Sequence, residues 1–82
     1  MNPLHFSQLS LSRKATYTWS HGHFIVSRAS KYHIYYLYSI GRYYVEIGYT
    51  RKLSRIEFID CFKDTGRLRP YLDSFQLSDM KA

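Results

Sequence analysis

The chain has 82 residues, 45% hydrophobic and 18% aromatic, with twelve Lys+Arg against six Asp+Glu and a net charge of +6. A chain this short buries only about 60–65% of the surface it exposes when unfolded, which excludes large enzyme architectures and leaves little room for a deep cleft. The apolar and aromatic content excludes a disordered tail, so one soluble, basic, β-rich domain is expected.

Residues 1–14 are Ser-rich, hold no acidic residue and carry Pro3. They are expected to form an N-terminal arm or an added edge segment ahead of a single small domain spanning 15–82. Leu4, Phe6, Leu9 and Leu11 are separated by polar residues, so no signal peptide is expected. No run approaches the roughly 18–20 apolar residues of a membrane span. A lone cysteine, Cys61, points to a reducing compartment and a cytoplasmic location.

Thr16-Tyr17-Thr18-Trp19 alternates and reads as a first strand, turned by His21-Gly22 onto Phe24-Ile25-Val26. A loop at Ala29-Ser30-Lys31 would then set Val26 against Ile34 and Phe24 against Tyr36. The strongest signal runs from Tyr32 to Thr50. Ile34, Tyr36, Tyr38 and Ile40 share one face, as do Tyr43, Val45, Ile47 and Tyr49, and Gly41-Arg42 between them matches a type II′ hairpin turn. A two-residue loop pairs Ile40 with Tyr43, Tyr38 with Val45, Tyr36 with Ile47 and Ile34 with Tyr49. Turn chemistry and apolar pattern therefore agree on one register, with Tyr35 opposite Gly48 on the reverse face.

A loop at Arg51–Ser54 leads to a further strand that sets Ile56 against Tyr49, Phe58 against Ile47 and Phe62 against Tyr43. Asp60 then faces inward beside Val45 unless a bulge near Ile59 turns it out. Beyond Lys63, the residues Leu68, Tyr71, Leu72 and Phe75 fall at helical spacing, with Asp73 and Ser74 facing out and Ser78 capping a last turn. The expected fold is α+β: a four- to five-stranded antiparallel meander with one short C-terminal helix packed on its apolar face.

Charge is uneven along the chain, since residues 1–45 contain Arg13, Lys14, Arg28, Lys31 and Arg42 with no Asp or Glu. In a meander alternate turns share an end of the sheet. Arg28 and Lys31 in one turn, Arg51, Lys52 and Arg55 in another, and Arg13 and Lys14 at the start of the first strand would gather there. Such a cluster suits a polyanionic partner: RNA, DNA, an acidic protein or a membrane surface. Tyr35 and Tyr44, on the reverse face, are the candidates for base stacking or for an interface. That face is too apolar to be left to solvent. The N-terminal segment could cover it through Leu4, Phe6 and Leu9, or a second copy could do so in a homodimer.

No catalytic motif, metal site or cofactor site is expected. His21-Gly22-His23 is an H-x-H without a third ligand fixed by spacing, and Cys61 lies within a strand without a helix start to activate it. The stretch Gly41-Arg42-Tyr43-Tyr44-Val45-Glu46-Ile47 resembles the central strands of small bacterial ribonuclease toxins, over about thirty residues. Those toxins place helices ahead of their meander, where this chain reads as strand, so no residue role is carried over. The readings rank as a non-enzymatic interaction module, then a nucleic-acid binder, then a toxin-like ribonuclease using His21 or His23 with Glu57 and Arg55.

Overall fold

The computed structural model describes residues 3–72. Two helices, α1 (Pro3–Ser7) and α2 (Leu11–His21), lead into four strands: β1 (His23–Ala29), β2 (His33–Ile40), β3 (Tyr43–Thr50) and β4 (Arg55–Phe62). The strands form one antiparallel sheet in the order β1-β2-β3-β4. A 3-10 turn (Thr65–Leu68) follows, and the chain turns α-helical at 69–72. The expected Asp73, Ser74, Phe75 and Ser78 positions lie outside the described residues.

The β2–β3 hairpin has the register its pattern dictates, from Ile40 opposite Tyr43 to Ile34 opposite Tyr49, with Tyr35 opposite Gly48. Gly41 takes φ +59° while Arg42 does not enter the left-handed region, as the first position of a type II′ turn requires. Val45 and Ile47 in the middle of β3 are fully buried, each burial worth ~1.5–3 kcal/mol.

Thr16–Trp19 is helix, not a first strand, so the sheet has four strands. Ser10 caps α2 by accepting from the Arg13 N–H at 3.3 Å. The threonine hydroxyls that made the segment look strand-like are satisfied within the helix: Thr16 donates to the Ser12 carbonyl at 3.1 Å and Thr18 to that of Lys14 at 2.8 Å. Ala15 and Thr18, three apart, are buried on the sheet side, while Tyr17 and His21, four apart, stack at 4.3 Å.

The two covers of the sheet are exchanged relative to expectation. One face, carrying Val45, Ile47 and Ile59, packs against Phe6, Leu9, Ala15 and Tyr17 of the N-terminal segment. The reverse face, carrying Leu37 and Phe62, is covered by Leu68 and Tyr71. Both faces are apolar, so periodicity alone does not say which segment lies on which.

Two strand registers also differ. Val26 sits opposite Leu37 and Phe24 opposite Tyr38, with an irregularity between them, rather than opposite Ile34 and Tyr36. This places Val26 and Arg28 on the reverse face. In β4 the extra residue is Glu57: Ile56 faces Tyr49 but Phe58 faces Gly48, so Ile59 and Cys61 fill the main face opposite Ile47 and Val45. A bulge does turn Asp60 out, two residues earlier than anticipated, and sets it beside Glu46. The Phe58 ring covers Gly48, where any Cβ would collide with it.

Candidate functional site

The turns after β1 and β3 are neighbours. The Arg51 guanidinium donates to the Ser30 carbonyl at 2.9 Å and the Arg51 N–H to that of Tyr32 at 2.9 Å. Lys31, Arg51, Lys52 and Arg55 are all exposed at this end, and among the described residues none of them joins a salt bridge. The Lys31 ammonium lies 5.4 Å from the ring centre of Tyr32, which is 67% exposed. Four of the seven predicted cations therefore converge.

The other three sit in different elements from those expected. Arg13 and Lys14 lie near the start of α2, not at the start of a strand; α2 ends beside the Gly41–Arg42 end of the sheet, so its start points back from that end. Arg28 is half-buried on the reverse face, its guanidinium 4.1 Å from the Tyr35 ring centre and 5.1 Å from that of Tyr71. Register is the cause: the strand runs three residues further than the sequence pattern suggested, so Arg28 belongs to β1 and not to the turn.

Tyr35 and Tyr44 are likewise occupied. Tyr35 is flanked by Arg28, His33 and Phe58, with ring centres 5.7 and 6.0 Å away for the latter two. Tyr44 stacks on Phe62 at 5.8 Å and packs against the Leu37 cluster.

A polar network missed by the sequence reading crosses this face. The Tyr71 hydroxyl donates to Glu46 Oε2 at 2.5 Å, and Arg67 lies 3.5 Å from Glu46 Oε1 and 3.4 Å from Asp60 Oδ2. Glu46 is 8% exposed and Tyr71 3%. Burial, then the hydrogen bond to Glu46 and its charge, push the Tyr71 phenol well above its ordinary value, with Arg28 opposing. The network ties the C-terminal segment to the sheet. Its one sequence signal is an acidic residue, Glu46, in the middle of an otherwise apolar strand.

The residues considered for acid–base chemistry are separated. His21 and His23 lie at the Gly41 end, whereas Glu57 pairs with His33 at 3.0 Å near the other end. Burial raises the Cys61 thiol above its ordinary value, which keeps it protonated and weakly nucleophilic. Among the described residues no three of His, Cys, Asp and Glu converge on a metal site, and no helix is long and apolar enough to cross a membrane.

The main face carries an aromatic strip of its own, open at Phe24. Phe24, 56% exposed, contacts Tyr38 and Tyr36 with ring centres 5.7 and 6.3 Å apart, and Tyr36 contacts Tyr49 at 5.3 Å. Tyr36, Tyr38 and Tyr49, partly buried against the main core, line a hollow of about 420 Å³ with Ile34, Ser54 and Arg51. Burial, together with Tyr38 and Tyr36, raises the Tyr49 phenol above its ordinary value. The helices α1 and α2 precede the meander, where strand was expected. No family model, curated protein or solved structure matches this chain.

Proposed function

We propose that this chain is a small, non-enzymatic interaction module that takes an anionic partner at the end of the sheet formed by the β1–β2 and β3–β4 turns. The observation that supports this most is the convergence of Lys31, Arg51, Lys52 and Arg55, exposed and outside any salt bridge among the described residues. Unpaired cations of one sign on adjoining turns create a local positive potential that ordinary solubility does not require. A single cysteine fits a cytoplasmic setting. A homodimer belongs to the same reading through the part of the reverse face that Leu68 and Tyr71 leave open, an apolar hollow lined by Ile25, Val26, Leu37 and Tyr44. A monomeric mass by light scattering would remove it.

Nucleic acid is the second reading, supported by the exposed Tyr32 beside Lys31. Binding of mixed-sequence RNA or DNA across a salt series tests both. Affinity that falls steeply with salt, and drops further in Arg51→Ala plus Lys52→Ala, supports nucleic acid. Absence of binding at low salt, with polyglutamate still bound, leaves an acidic protein as the partner. If neither polyanion binds, the proposed function is wrong.

A further inference from the structure

We infer that the tyrosine-lined hollow on the main face is a base-binding site for single-stranded nucleic acid, whose backbone phosphates lie on the adjoining basic turns. The inference rests on the turn end facing an anion and names the partner class.

Three observations carry it. The hollow is lined by Tyr36, Tyr38 and Tyr49, and its volume of about 420 Å³ falls within the roughly 300–1,000 Å³ of small-ligand sites. It is continuous with an aromatic strip that runs from the exposed Phe24 on β1 across β2 to Tyr49 on β3. Arg51, at its rim, spends one guanidinium nitrogen on the Ser30 carbonyl and keeps further donors for a phosphate, with Lys52 next in the chain. Rings ending at a cation are what a nucleotide presents in complement: a π-face at one end and a charged oxygen at the other.

The chemistry also selects single strands over duplex. A paired base has its face covered by its neighbours in the stack, whereas an unstacked base can lie on Phe24 or enter the hollow. A tyrosine hydroxyl can both donate and accept, so it can meet any base edge, and recognition is expected to be tolerant of sequence. An acidic protein segment would use Arg51 and Lys52 but would leave the rings without a partner.

The test compares three fluorescently labelled probes by anisotropy with the full chain: a ten-nucleotide mixed-sequence single-stranded RNA, an abasic oligomer of equal charge, and polyglutamate. The RNA is expected to bind at least about fivefold tighter than the abasic oligomer, the low end of one stacked base. Phe24→Ala, at an exposed position, and Tyr36→Leu, with folding checked by circular dichroism, are expected to remove that advantage and leave abasic binding unchanged. Tyr36→Phe retains it. Equal affinity for RNA and abasic oligomer overturns the hollow while the turn end stands. Binding of polyglutamate alone overturns nucleic acid as the partner. Failure of all three probes removes the turn-end reading itself.

Discussion

Replacing Tyr71 with Phe removes one hydroxyl and keeps the ring that packs against Leu37 and Phe62. The Glu46 carboxylate then loses its 2.5 Å donor and retains Arg67 at 3.5 Å, from a side chain 43% exposed. A hydrogen bond to a charged group is worth ~1.5–3 kcal/mol, and Glu46 is too buried for water to replace the donor freely, so Tyr71→Phe is expected to cost about 2 kcal/mol. For a domain of this size that is about 8–16 °C in Tm, read by thermal or urea denaturation. The linkage to pH has a definite sign. The folded state raises the Tyr71 phenol above its ordinary 10.0, so the resulting stability is complete below pH 10 and is lost as pH rises past it. The variant is therefore expected to lose stability less steeply between pH 9 and about 11. Tyr49, raised in the same direction, leaves a residual slope. A change within about 0.5 kcal/mol together with an unaltered alkaline slope would refute the claim that this contact holds the C-terminal segment to the sheet.

Other expectations bear on the sheet itself. Gly48→Ala drives a Cβ into the Phe58 ring and is expected to destabilise by about 1–3 kcal/mol in urea unfolding, but by distinctly less in a Phe58→Leu background. Gly41→Ala meets no atom within 4 Å, so its cost of about 1–2 kcal/mol reports the positive φ alone, and Gly41→Asn should recover part of it. Equal stabilities of the alanine and asparagine variants would show that the turn has relaxed to another type.

The β2–β3 hairpin was legible because two independent signals, the Gly41-Arg42 turn and the period of two, specify the same pairs. In β4 the pattern carried its own warning: Asp60 on an inward position called for a bulge, which the structure supplies at Glu57. The N-terminal helices were not legible, since Thr-Tyr-Thr-Trp alternates as a strand does and its hydroxyls bond back to the helix carbonyls only once the helix exists. Which cover lies on which face was equally hidden, both faces being apolar. The convergence of Lys31 with Arg51 and Lys52 followed from meander topology alone. The fate of Arg28 did not, because shifting Val26 from Ile34 to Leu37 moves by an odd number of residues and carries its neighbours to the other face. The faces of the β2 and β3 tyrosines were read correctly, but what lies on them was not. Tyr35 and Tyr44, expected to be free, are stacked within the protein, while Tyr36, Tyr38 and Tyr49 pack against the main core and also line a hollow beside it.

The decisive measurement concerns where the positive charge acts. Arg51→Ala plus Lys52→Ala at the turn end, and Arg42→Ala plus Lys63→Ala at the opposite, Gly41 end, each remove two exposed cations and lower the net charge from +6 to +4. Elution from a heparin column in a salt gradient then separates a local surface from bulk charge. The variant lacking Arg51 and Lys52 is expected to elute at clearly lower salt than both the unmodified chain and the variant lacking Arg42 and Lys63. Co-elution of the two variants would contradict a binding surface at the turn end.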